Sequence, residues 1–107
     1  MNKKFKQFKN ECLRLQKKWG LNNWKLYFYD EKLNDDVLAK INVDLEGYCV
    51  GLTYDSKKDS SPEENAKHEM IHLILGRLSQ LGAKRFLNKD ELYSAEEEVI
   101  RILEKLL

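Results

Sequence analysis

The chain holds only two histidines, His68 and His72, and they stand four positions apart in Asn65-Ala-Lys-His-Glu-Met-Ile-His. On a helix, positions i and i+4 point the same way about one turn apart, so both imidazoles can direct a nitrogen at one ion about 2.0 to 2.1 Å away. Glu69 is rotated about a hundred degrees from His68. That is too far for an obvious third ligand, but it suits contact with a water bound to the ion. The pattern is H-E-x-x-H, and its chemistry is hydrolysis. Zinc lowers the pKa of its water toward neutrality, while the carboxylate takes a proton as a carbonyl is attacked and later gives one to the leaving amine. Five-residue patterns arise by chance, and a histidine pair at helical spacing is also an ordinary surface feature. Against chance, both histidines of the chain fall on the pattern, and Met70, Ile71, Leu73, Ile74 and Leu75 surround it with apolar groups that make an unpaired imidazole costly.

The motif needs a helix, and the residues before it supply a start. Ser61 is a predicted N-cap, Pro62 takes the first helical position, where its missing N–H costs nothing, and Glu64 completes a capping box with Ser61. Ala66, Met70, Ile71, Ile74, Leu75 and Leu78 then form an apolar surface wide enough to predict a central helix, with Gly82 as its stop. Upstream, Phe5, Phe8, Cys12, Leu15 and Trp19 recur at steps of three and four, a helical stripe that Gly20 terminates. Three alternating stretches read as strands. In the first, Trp24, Leu26 and Phe28 face inward. The second runs through Val37, Ala39, Ile41, Val43 and Leu45, and the third through Tyr48, Val50, Leu52 and Tyr54. Short connections favour antiparallel pairing. A last helix is expected from about Asp90, with Leu92, Val99, Leu103 and Leu106 on one side.

A catalytic zinc takes three protein ligands and keeps a fourth position open. No third histidine exists, and Leu75 and Leu78 stand where the longer H-E-x-x-H-x-x-G-x-x-H motif would carry its glycine and last histidine. The cysteines lie far upstream, which leaves a carboxylate of the last helix. Glu96 lies three before Val99 and seven before Leu103, so it is expected to point into the core and is the chosen ligand. Glu97 shares a stripe with Ile100 and is the runner-up, although it would also complete a capping box with Ser94. Glu98 is expected to face outward. For all three the competing reading is a solvated acidic first turn that the helix dipole favours.

His68-Glu69-Met70-Ile71-His72, followed about two dozen residues later by Glu96-Glu97-Glu98 in a helical segment, resembles the gluzincin arrangement. Small size, strands before the motif and two ligand-bearing helices are most similar to minimal stand-alone gluzincins and the short metallopeptidase-like proteins of bacteriophages and bacteria. The resemblance implies an α+β, zincin-like fold with an N-terminal helix, a small and mainly antiparallel three-stranded sheet, the motif helix and a C-terminal glutamate helix. It also implies Zn2+ on His68, His72 and Glu96, Glu69 as general base and acid, and a peptide or protein substrate. Departures accompany it. Ile100 and Arg101 stand where larger gluzincins place an aspartate that orients a histidine. For the oxyanion-stabilising group only Tyr48, Tyr54 and Tyr93 are candidates, each with a structural reading as well. The chain cannot build the second lobe of a full-size protease. An edge strand, from either Val37–Leu45 or Tyr48–Asp55, would have to hold a peptide by β-augmentation.

Size and composition fit one domain over residues 1–107. Positive residues at the start are not followed by an apolar secretion segment, and no run is long enough for a membrane span, so a cytoplasmic protein is expected. Cys12 and Cys49 are accordingly read as reduced thiols. The basic residues between Lys3 and Lys18 read as the solvated outer face of a docked helix rather than a phosphate or membrane contact, because the net charge of the whole chain is only +1. The rival to a zinc peptidase is a non-hydrolytic zinc-containing module that binds protein or nucleic acid.

Overall fold

The computed structural model describes residues 2–83 and 89–106. Its elements are α1 (Lys3–Lys18), β1 (Lys25–Asp30), β2 (Ala39–Asp44), β3 (Cys49–Tyr54), α2 (Pro62–Ala83) and α3 (Lys89–Leu106). The side chains of Leu78, Leu92 and Leu106 lie outside the described residues.

Helix α1 buries the whole predicted stripe, since Phe5, Phe8, Cys12, Leu15 and Trp19 are each no more than 7% exposed. Asn2 caps its start by accepting the Lys4 N–H at 2.8 Å. At the other end Gly20 adopts φ 70°, and the N–H groups of Gly20 and Leu21 bond the carbonyls of Lys17 and Gln16 at 3.3 and 2.9 Å. These two bonds make a Schellman motif, for which glycine is the residue of least strain. Two of the basic residues have work within the fold. Lys4 Nζ donates to the Lys58 carbonyl, and Lys9 Nζ lies 5.7 Å from the Phe28 ring centroid.

The sheet is mixed, not mainly antiparallel, with strand order β1-β3-β2. Strands β2 and β3 form the expected antiparallel hairpin, whereas β1 runs parallel to β3. The segment 31–38 does not turn β1 back on itself; it crosses the C-terminal end of β3 to reach the far edge. Two residues just past that end hold it there. Asp55 Oδ2 accepts the Leu33 N–H at 3.0 Å, and Lys58 Nζ donates to the carbonyls of Leu33, at 3.1 Å, Val37, at 2.6 Å, and Asn34. The Leu33 N–H holds the Asp55 carboxyl below the usual carboxylate range, helped by the Lys57 N–H and Lys58 and opposed by burial. Val50, Leu52 and Tyr54 of β3 are fully buried, and the Tyr54 ring stacks on Phe8 at 4.7 Å. Tyr48 departs from the expected inward face. It sits in the hairpin turn at φ 50°, half exposed, with its ring 5.0 Å from that of Trp24.

Helix α2 packs against α1, β2 and α3, as its apolar width predicts. Helix α3 presents a different face from the expected one. Ala95 and Ile102 are buried and Val99 is partly buried, while Leu103 is 50% exposed and Glu96 is exposed. The packed stripe therefore runs through Ala95, Glu98, Val99 and Ile102, and small Ala95 lets the helix approach its neighbours closely. Glu98, expected outside, is half-buried on that stripe, and Glu96, expected inside, is not on it. Ser94 lies well inside α3 and caps nothing.

Candidate active site

Helix α2 begins as the sequence indicates but with half of the capping box. Ser61 Oγ accepts the Glu64 N–H at 3.2 Å and donates, at 3.4 Å, to Glu63 rather than Glu64. The Glu64 carboxylate is left outside the cap. One turn further on, His68 and His72 stand on the same exposed face with their rings 4.8 Å apart at 76° and their Nε2 atoms 3.2 Å apart. Two nitrogens bound to one tetrahedral zinc at about 2.0 to 2.1 Å lie roughly 3.3 to 3.4 Å from each other. The pair therefore has the bite of a zinc chelate. Without metal, the same spacing carries one Nε2–H to Nε2 hydrogen bond between complementary tautomers.

Glu69 is 6% exposed and accepts no hydrogen bond from any described residue. Burial raises its carboxyl above the usual range, and the neighbouring His68 and His72 partly counter that shift. A carboxyl with its pKa raised, beside two metal-type donors, is suited to taking and returning a proton.

These three residues line an open cleft of about 930 Å3 between the N-terminal half of α2 and β2. Its other walls are residues 36–41, residues 59–61, Glu64 and Asn65. Strand β3 is central, so only β2 of the two strands named above offers an edge to this cleft. The Asp55 N–H bonds the Leu38 carbonyl at 3.1 Å, and the antiparallel ladder alternates from there. Lys40 and Asn42 direct their backbone groups at β3, and Ala39 and Ile41 direct theirs at the outer edge.

The third ligand does not join the pair. Among the described residues no three His, Cys, Asp or Glu side chains are grouped to hold an ion, and none from α3 lines the cleft. Glu96 is exposed, and Glu97 and Glu98 are half-buried. Both cysteines are free; Cys12 is fully buried, which pushes its thiol pKa up, and Cys49 sits at the hairpin. None of the three tyrosines lines the cleft: Tyr54 is buried with its hydroxyl 3.1 Å from Ser60 Oγ, and Tyr93 is 65% exposed.

The sequence reading missed Asp36, Asp59 and Glu64 as cleft residues. Each had a sufficient local explanation in a turn or a helix start, and only the fold brings the two stretches together. Among the described residues no helix is long and apolar enough to cross a membrane. No protein-family model matches the chain, and neither a curated protein nor a solved structure does.

Proposed function

We propose that the protein is a zinc-dependent peptide hydrolase in which His68 and His72 hold the metal and Glu69 is the general base; the third protein ligand, for which the sequence favours Glu96, is not among the groups that the described residues bring to the pair. The observation that carries this reading is the 3.2 Å separation of the two Nε2 atoms, close to the spacing of two nitrogens on one tetrahedral zinc. Zinc bound there supplies Lewis acidity, which acidifies water and polarises a peptide carbonyl. The chain's own residues do the rest. Glu69 takes the proton of the attacking water and returns it to the leaving amine, and its buried setting raises its basicity for that exchange. The outward backbone groups of Ala39 and Ile41 hold an extended peptide along the cleft as an added strand. The free thiols of Cys12 and Cys49 suit a reducing, cytoplasmic setting.

Purified protein is expected to bind one zinc and to cleave an unstructured peptide library. Glu69→Gln is expected to keep zinc and fold but lose cleavage. Neither zinc nor cleavage in the wild type ends the proposal. For the third donor, zinc affinity is compared in Glu96→Ala, Glu97→Ala and Glu98→Ala; affinity unchanged in Glu96→Ala removes the residue favoured by sequence. The rival is a zinc-containing module that binds protein or nucleic acid without hydrolysis. Zinc binding without cleavage of any peptide would establish that reading instead.

A further inference from the structure

The cleft is open at one end and shut at the other. Helix α2 and strand β2 converge in the direction in which both run, and the lining stops at His72 on the helix and Ile41 on the strand. One turn beyond His72, Gly76 faces Val43 so closely that a side-chain carbon placed on Gly76 would stand 3.7 and 4.0 Å from the two Val43 methyls. One carbon fills that space, whereas a peptide backbone paired to β2 needs about 4.8 Å from the strand for itself. Val43 is also the next residue after Ile41 whose backbone groups turn outward in the ladder, and it is not free to pair. The side-chain contact and the engaged residue are separate observations, and both end the cleft at the same place.

We infer that the cleft takes the end of a peptide rather than its middle, with the bond beside the histidine pair within about two residues of that end. The inference rests on the peptide-cleft reading above and adds its substrate class: chain termini and short peptides, cut as an exopeptidase cuts them. His72 precedes Gly76 by about one turn, roughly 6 Å along the helix axis at 1.5 Å per residue. An extended peptide advances about 3.3 Å per residue, so about two residues fill that distance. Hydrolysis there adds water across one C–N bond, hydroxyl to the carbonyl carbon and hydrogen to the nitrogen, and frees a fragment of that length. On β2 only Ala39 and Ile41 offer outward pairing positions along the cleft, which suits a short bound segment. A chain that continues past the fragment meets the Gly76–Val43 contact and cannot lie along the strand.

The test measures binding by calorimetry on Glu69→Gln, which leaves its probes intact, with and without added zinc. One unstructured peptide of about eight residues, longer than the cleft, is compared in four forms: both ends free, the N-terminus fused to a small folded domain, the C-terminus so fused, and both fused. Blocking both ends is expected to weaken binding at least about tenfold, and one of the single fusions to account for the loss. Terminal acetylation and amidation remove charge but add only a few atoms, and should cost less than about threefold, because the closed end excludes chain rather than charge. A doubly fused peptide that binds as tightly as the free one would overturn the inference and leave the peptide-cleft reading in place. No measurable binding of the free peptide would end both. A loss on acetylation or amidation as large as on fusion would also overturn the inference, since terminal charge would then be what is recognised. Cleavage by the wild type is scored separately, by the mass of the fragments. Release of fragments of one or two residues supports the inference, and cuts within the doubly fused peptide overturn it. Selective binding of free ends without any cleavage keeps the closed cleft and ends the hydrolytic reading.

Discussion

Helix α2 has two working faces. On one, Ala66, Met70 and Leu73 are each no more than 2% exposed; on the other, Glu64, His68 and His72 are exposed along an open cleft. The first face makes the helix rigid, and the second uses that rigidity to hold two nitrogens at a fixed spacing. Stability and chemistry are thus separable within one element, with Glu69 the exception, since it is buried like the first face and charged like the second.

The largest test of this separation is Glu69→Gln. It should lower peptide cleavage by about 10² to 10⁴, the usual weight of a general base, with zinc affinity and unfolding cooperativity retained. Met70→Ala probes the other face. It should cost about 2 to 5 kcal/mol in urea unfolding, as large-to-small changes in a packed core do. His72→Ala should cost less than about 0.5 kcal/mol in the metal-free protein yet abolish tight zinc binding by calorimetry. Comparable destabilisation by Met70→Ala and His72→Ala would break the comparison.

Helix α3 sharpens it at smaller scale. Ile102→Ala should cost at least about 2 kcal/mol and Leu103→Ala less than about 1, because Ile102 is 3% exposed and Leu103 is 50% exposed.

The smallest effects are in pH dependence, where two buried carboxyls have opposite signs in the metal-free protein. The folded-state pKa of Asp55 is lowered, so its stabilisation is present above the unfolded value and lost as pH falls through the lowered one. The folded-state pKa of Glu69 is raised. Its protonated form is favoured in the fold, and stability declines as pH rises from the unfolded value through the raised one. Urea midpoints measured between about pH 3 and pH 7 should therefore show less acid weakening in Asp55→Asn. Glu69→Gln should instead gain on wild type toward neutrality. A shared direction in the two variants would contradict the assigned shifts.

The contrast between α1 and α3 shows what was legible in the sequence. In α1 one stripe holds every large apolar residue except Leu13, which is 40% exposed, so periodicity leaves one orientation, and every stripe residue is buried. In α3 apolar residues occupy two stripes. The eye follows the larger leucines, but the fold packs Ala95, Val99 and Ile102, and the error carries directly to Glu96. Strand positions were legible because alternation is local. Strand order was not, because it depends on Asp55 and Lys58 gripping a segment some twenty residues earlier in the chain. The histidine pair was legible for the opposite reason, since an i, i+4 chelate is complete within one helical turn. The cleft lining belongs to the first kind, being assembled from residues 36–41, residues 59–61 and the start of α2.

The crossing of β3 by residues 31–38 also orders assembly. The hairpin joins Asp44 to Cys49 across a short turn, whereas β1 must bring Lys25 to that same Cys49 from far upstream. Loop-closure entropy makes the short connection the earlier one. The two-stranded nucleus thus already contains the peptide-holding edge, with a second raw edge on β3 that only the late arrival of β1 covers. A chain in which β1 has not docked therefore presents open backbone edges on both sides of the hairpin, the condition that favours edge-to-edge association.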